Sequence, residues 1–222
     1  MKKYIAELIG TFFLVLTIGC TGIAAPTGVI APLAIGAVLM VMVYAGGHIS
    51  GGHYNPAVTV GMWIRGRLET SDIAPYLIAQ AAAAALAVLA VRFLRTPLPI
   101  APIALKLGPA FVAELFFTFA LVYVVLNTAT AEGTSGNSFY GLAIGMTVMA
   151  GAFAVGDISG GAFNPAVALA ITWLGISSWS NIWIYLLADF LGGALGAIVF
   201  NLINRPTQTT PIATEEPPYK TP

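Results

Sequence analysis

The sequence predicts an all-α membrane protein, with six transmembrane helices and two re-entrant half-helices arranged as an inverted repeat. Of its 222 residues, 58% are hydrophobic and only 8% are charged, whereas soluble domains carry about 25% charged residues. Six apolar segments each approach the ~20 residues that cross a bilayer core. A half-polar phrase, HISGGHYNPAV at 48–58, returns as DISGGAFNPAV at 157–167.

The apolar segments define the predicted elements. The six spans cover 4–24, 30–47, 73–94, 108–128, 139–156 and 181–203. Two shorter apolar stretches, 56–64 and 165–174, follow the repeated phrases. Each has roughly 10 residues, too few to cross, so we interpret them as half-helices that enter the membrane and stop. The first span is long enough to be a retained helix rather than a cleaved signal peptide.

The basic residues predict the orientation of the chain. With the N-terminus inside, the inner residues are Lys2, Lys3, Arg65, Arg67, Arg205 and Lys220, and the outer ones are Arg92, Arg95 and Lys106. This excess predicts that both termini are cytoplasmic. The proline-rich connection 96–107 is then outer and the loop 129–138 inner, while the Pro/Thr-rich residues 205–222 are predicted to be a disordered cytoplasmic tail.

An internal repeat organises the chain. AELIGTFFLV at 6–15 matches AELFFTFALV at 113–122, an offset of 107, and YLIAQ at 76–80 matches YLLAD at 185–189, an offset of 109. We therefore predict one channel domain over 1–204, with halves at about 1–95 and 107–204. Because each half has three spans, an odd number, the second half is inverted. Such repeats with broken helices indicate a solute path at the bilayer midplane.

The repeated phrase supplies the candidate pore residues. Non-helical backbone inside a membrane is tolerated only where it packs on protein or lines a water-filled cavity. We expect an acceptor ladder from the carbonyl groups of Gly51, Gly52, His53, Tyr54, Gly160, Gly161, Ala162 and Phe163. The two NPA triplets, Asn55, Pro56, Ala57 and Asn164, Pro165, Ala166, are predicted to start the half-helices. The asparagine amides can donate into the lumen, and the positive helix ends oppose cations.

The remaining polar residues have more modest interpretations. Glu7 and Glu114 are matched carboxyl groups inside spans; a proton relay needs titratable partners that are not visible, so we favour bracing of the loop amides. His48 and His53 make a poor metal site, and we interpret them as vestibule or packing residues, with pH gating of the inner mouth as the alternative. A lone Cys20 excludes an intramolecular disulfide. We predict no cofactor and no metal, and zero net charge gives no indication of nucleic acid.

Two NPA motifs that each follow an SGG loop, with an AEL-started helix in each half, resemble the aquaporin, or major intrinsic protein, family over about residues 3–204. The resemblance implies a right-handed six-helix bundle, one pore per protomer, a homotetramer, and passive flow of water or small neutral solutes. It also implies an outer selectivity filter. Counting from the two asparagines places its four positions at Ile35, Ala152, Gly161 and Val167.

The predicted filter departs from the family pattern. The family's filter usually contains an aromatic residue, often a histidine, a small residue and an arginine. Here Ile35 replaces the aromatic residue, Ala152 the histidine and Val167 the arginine, so the filter should be wider and less polar. The aspartate that follows the arginine in glycerol channels is Ala168. Asp189 stands where the family usually has proline, and its side chain is expected to hydrogen-bond a neighbouring helix or loop.

We predict a passive channel for water and small uncharged solutes rather than an enzyme, in a bacterial or archaeal inner or plasma membrane. Candidate larger solutes are metalloid hydroxides such as arsenite or silicic acid, urea, ammonia and glycerol. One alternative is a strict water channel. A second is a secondary transporter, which would need a midplane carboxylate site for its coupling ion. A third is a junctional scaffold with a closed pore, for which Arg92 and Arg95 would be surface contacts.

Overall fold

A computed structural model describes residues 1–23, 30–96 and 102–204 of the chain. Eight α-helices are present in these ranges: α1 Lys2–Ile23, α2 Ile30–Ser50, α3 Pro56–Ile64, α4 Thr70–Leu94, α5 Leu107–Ala129, α6 Tyr140–Ser159, α7 Pro165–Leu174 and α8 Ile182–Ile203. All except α3 and α7 are long and apolar enough to cross a membrane. The predicted fold class is therefore confirmed. The predicted disordered tail lies outside the described residues.

Three predicted helix boundaries were wrong by three residues, and one of them is the start of α4, which begins at Thr70 rather than at 73. The spans predicted to end at residues 47 and 156 continue to Ser50 and Ser159. Helical hydrogen bonds satisfy the backbone within an apolar environment, so these helices continue until the chain changes conformation. That change occurs at Gly51 and Gly160, where φ is 90° and 93°. Each serine consequently belongs to the last turn of its helix.

The helices pack so that each short helix rests on the opposite half. In the first half, α1 packs against α2 and α4, and in the second half α5 packs against α6 and α8. The short helix α3 contacts α8, α7 contacts α4, and the two short helices contact each other. The N-termini of α3 and α7 are thereby brought together inside the bundle.

The crossing of α2 and α6 joins the halves at a pair of glycines. A Cβ atom on Gly36 would lie 2.7 Å from the carbonyl oxygen of Gly145, and one on Gly145 would lie 2.4 Å from that of Gly36. Small residues permit such close backbone approach between helices in membranes. The two glycines are 109 residues apart, so they occupy matching positions in the repeat.

Candidate solute pore

The two loops before the short helices share an unusual backbone conformation. In the first, φ is 63° at Gly52 and 50° at Tyr54; in the second, φ is 63° at Gly161 and 47° at Phe163. Glycine adopts these angles readily. For a residue with a side chain they cost roughly 1–2 kcal/mol. Tyr54 and Phe163 therefore need interactions that hold the loops in place.

Glu7 provides those interactions in the first loop. Its Oε1 accepts hydrogen bonds from Ser50 Oγ at 2.7 Å and His53 N at 2.9 Å. Its Oε2 accepts from Tyr54 N at 2.6 Å and Gln80 Nε2 at 2.8 Å. The side chain is fully buried. One carboxylate thus accepts from two backbone N–H groups of the loop, which have no helical hydrogen-bond partner.

Glu114 makes the corresponding contacts in the second loop. Its Oε1 accepts from Ser159 Oγ at 2.6 Å and Ala162 N at 3.0 Å, and its Oε2 accepts from Phe163 N at 2.6 Å. The position that corresponds to Gln80 is Asp189, which offers a carboxyl group instead of an amide. We call each glutamate with its donors a brace. The two braces share three matching donors to the glutamate, and they differ at the fourth position.

Two further pairs of side chains, which sequence reasoning did not assign to the site, support the loops. Tyr76 donates its hydroxyl to the Ser50 carbonyl at 2.8 Å, and Tyr185 donates to the Ser159 carbonyl at 2.6 Å. Each serine hydroxyl also accepts a bond from the second glycine of its loop. The signal was present, because both tyrosines begin the repeated phrases YLIAQ and YLLAD.

The asparagines of the NPA motifs cap their helices. Asn55 Oδ1 accepts from Ala57 N at 2.8 Å, and Asn164 Oδ1 accepts from Ala166 N at 2.9 Å. In each helix the first residue is the proline, Pro56 or Pro165, whose missing N–H is not needed there. The caps leave both side-chain amide groups free to donate elsewhere.

The same asparagines link the two loops to each other. Asn55 Nδ2 donates to the carbonyl of Phe163 at 2.8 Å, and Asn164 Nδ2 donates to the carbonyl of Tyr54 at 2.9 Å. An amide nitrogen has two hydrogens, so these bonds leave one hydrogen on each asparagine unused. Each of these two ladder carbonyls likewise keeps a second lone pair.

A narrow cavity runs beside both asparagines. Aliphatic side chains of α1, α2, α5 and α6 line it, together with both loops and the first turns of α3 and α7. Within the described part of the chain, this wall contains no lysine, arginine, aspartate or glutamate. Its polar groups are amides, backbone carbonyls and the ring of His53.

Three of the four predicted filter residues, Ile35, Gly161 and Val167, line this cavity. Ala152 neighbours them, because its Cα lies 3.6 Å from the place where a Cβ on Gly161 would be. Val167 follows the second NPA triplet and is only 2% exposed. Its repeat counterpart, Val58, lines the cavity beside the first triplet.

The two histidines lie in different environments. His53 is buried, with its ring 4.9 Å from that of Tyr76 and its Nδ1 3.1 Å from Thr59 Oγ1. His48 is exposed and lines a wider cavity, shared with Arg67 and Glu132. This cavity lies on the N-terminal face, by which we mean the face where α1 begins. No group of residues suited to a metal ion occurs in 1–23, 30–96 and 102–204.

Two half-helices that meet beside a narrow, uncharged cavity in a six-helix bundle define a membrane channel for small solutes. The sequence profile described as Major intrinsic protein matches residues 1–200. The chain belongs to the major intrinsic protein family, as its motifs predicted. This is a family of channels rather than enzymes.

Individual relatives agree with this assignment. The chain is 38% identical to a putative aquaporin NIP4-1 of Arabidopsis thaliana, over 91% of this chain and 74% of the relative. It is 37% identical to a glycerol uptake facilitator protein-like 6 of Lactiplantibacillus plantarum, over 89% of this chain and 95% of the relative. The X-ray structure of the aquaglyceroporin from Plasmodium falciparum has the same fold, with a TM-score of 0.77, 22% identity, and coverage of 90% of this chain and 95% of that one.

Proposed function

We propose that this channel passes water together with uncharged solutes larger than water. The observation that carries the proposal is Val167, an aliphatic residue at the cavity wall beside the second asparagine. An arginine there would add bulk and a fixed positive charge. With Val167, Ile35, Ala152 and Gly161 as the filter, the passage has neither.

The charge distribution favours neutral solutes. An ion that entered the cavity would lose its hydration, and the described wall provides no opposite charge to replace it. The positive ends of α3 and α7 converge on the asparagines and oppose cations further. Because no filter arginine contributes, these helix ends carry more of the charge barrier to cations.

The polar groups suit solutes that carry O–H or N–H groups. Asn55 and Asn164 each retain one amide hydrogen, and the loop carbonyls of 51–54 and 160–163 provide acceptors. The opposite wall is aliphatic. Glycerol, urea, ammonia, arsenious acid and silicic acid can all exchange hydrogen bonds with these groups, and the carbon chain of glycerol can contact the aliphatic wall. One relative is named as a glycerol uptake facilitator.

We further propose how the channel is placed in its membrane. The excess of basic residues at the N-terminal face supports cytoplasmic termini, in a bacterial or archaeal inner or plasma membrane. Residues 1–204 form one channel domain with halves at about 1–95 and 107–204. Large apolar side chains cover the outer faces of the helices, such as Leu89 and Phe116, which are 64% and 63% exposed. These faces suit contacts with lipid and with the other subunits of a homotetramer.

The test is stopped-flow light scattering, which follows the volume of proteoliposomes after an osmotic gradient or a gradient of glycerol, urea or arsenite is imposed. We expect rapid water flux, together with flux of at least one larger solute that does not change when proton and sodium gradients are collapsed. Flux of water alone would support a strict water channel instead. Uptake that requires an ion gradient would indicate a secondary transporter, and empty-vesicle rates for every solute would indicate a closed scaffold.

A further inference from the structure

The bracing of the two loops differs between the halves of the inverted repeat at the position of Gln80. In the first half, Gln80 Nε2 donates to Glu7 Oε2 at 2.8 Å and to Thr59 Oγ1 at 3.0 Å. In the second half, Asp189 occupies the place of Gln80, and its side chain contacts α5 at Thr118, one helical turn beyond Glu114. An ionised aspartate has no hydrogen to donate. The second brace therefore lacks a donor unless Asp189 is protonated.

The surroundings of Asp189 show which of its atoms is unsatisfied. The side chain is fully buried. Its Oδ1 accepts a hydrogen bond from Thr118 Oγ1 at 3.0 Å. Its Oδ2 has no hydrogen-bond partner. A buried polar atom without a partner needs an explanation.

The charged neighbours do not stabilise a second negative charge. The titratable groups that face Asp189 are Glu114 on α5 and Tyr185 on its own helix, α8. The Tyr185 hydroxyl is directed to the carbonyl of Ser159. No lysine, arginine or histidine of the described chain pairs with either carboxyl group. Two adjacent carboxylates in a buried site cannot both remain ionised, so the pair shares one proton.

The hydrogen bonds assign that proton to Asp189. Glu114 accepts from one hydroxyl and two backbone N–H groups, and each of these bonds favours its ionised form. A proton on Asp189 Oδ2 gives the unsatisfied atom a partner and gives Glu114 a fourth donor. The second brace then has the same four-donor arrangement as the first.

We propose that Asp189 is a positioning residue of the pore that holds the second loop in its conducting shape by donating a hydrogen bond to Glu114. Loss of the shared proton leaves two facing negative charges behind Ala162 and Phe163. The carbonyl of Phe163 accepts from Asn55, so a displaced loop disturbs both NPA asparagines. Water flux should therefore fall as the pH rises. The proposal rests on conduction of water and not on the range of larger solutes.

The first test compares the pH profiles of water permeability of wild type, Asp189→Asn and Asp157→Asn in proteoliposomes. Asparagine donates a hydrogen bond at every pH. The water flux of wild type should fall reversibly at alkaline pH, by roughly fivefold or more if protonation and conduction are coupled as strongly as coupled sites usually are. The water flux of Asp189→Asn should not fall. Asp157 is exposed, so Asp157→Asn is the matched control and should retain the wild-type profile. A flat wild-type profile, or an alkaline loss that persists in Asp189→Asn, would overturn the proposal.

A second measurement is independent of conduction. Infrared spectroscopy of the reconstituted protein at neutral pH should show the carbonyl band of a buried protonated carboxylic acid. This band should vanish in Asp189→Asn and persist in Asp157→Asn. Absence of the band in wild type, or its persistence in Asp189→Asn, would contradict the proposal. If wild type passed no water, the channel function would fail while this measurement still decided the state of Asp189.

Discussion

Replacing Glu7 with glutamine should destabilise the folded channel and remove most of its water conduction. The carboxylate accepts four hydrogen bonds, and each of its oxygens has one backbone N–H group, of His53 or of Tyr54, among its donors. Glutamine turns one acceptor oxygen into an NH₂ group, which then faces a backbone N–H group that can only donate. Each buried donor left without an acceptor costs about 1–3 kcal/mol. Tyr54 would also lose the contact that holds its left-handed backbone conformation.

Thermal unfolding in detergent and water permeability in proteoliposomes measure the two effects of Glu7→Gln. Glu132→Gln is the matched control, because Glu132 is exposed in the loop between α5 and α6. The control should unfold at the wild-type temperature and conduct normally. If Glu7→Gln behaved like Glu132→Gln in both measurements, the carboxylate would not be what holds the first loop.

Replacing Gly145 with alanine should force α2 and α6 apart. The added Cβ would lie 2.4 Å from the carbonyl oxygen of Gly36, which belongs to the backbone and cannot turn aside. Overpacking of this kind typically costs about 1–3 kcal/mol of folding stability. Because α2 carries Ile35 and α6 carries Ala152, the change should also alter the filter. We expect a lower unfolding temperature and altered solute flux.

A glycine of the same chain provides the control for this change. Gly108 lies in the first turn of α5, and a Cβ there would meet nothing within 4 Å. Gly108→Ala should leave unfolding unchanged or raise its temperature slightly, since alanine favours helix. Equal responses of Gly108→Ala and Gly145→Ala would mean that the α2–α6 crossing tolerates a wider separation than its geometry indicates.

The long apolar segments predicted the helices well because the bilayer imposes their length and composition. The two short helices matched their predicted ranges, 56–64 and 165–174, since a proline begins each and the apolar run ends it. The ends of α2 and α6 were less predictable. The predicted apolar spans ended at residues 47 and 156, yet the helices continue until the first left-handed glycine.

The geometry of the loops could not be predicted from the sequence. Tyr54 and Phe163 adopt left-handed angles that their residue types do not indicate. The bonds from Asn55 and Asn164 to the opposite loops join residues 108 and 110 positions apart, so only the assembled halves reveal them. The repeat marked Asp189 as a counterpart of Gln80 but could not show that Glu114 faces it.

The most direct test of the proposed solute range is the paired permeability to glycerol and water of wild type and Val167→Arg, reconstituted in parallel. Val167→Met is the matched control, because it adds bulk without charge. Arginine narrows the passage at the wall beside Asn164 and adds a positive charge there. We expect Val167→Arg to keep its water flux and to lose glycerol flux by roughly tenfold or more, the scale on which small steric differences discriminate substrates. Wild type that passed water alone, with neither flux changed in Val167→Arg, would contradict this prediction. Val167 would then not set the solute range, and the filter would not be wide enough for larger solutes.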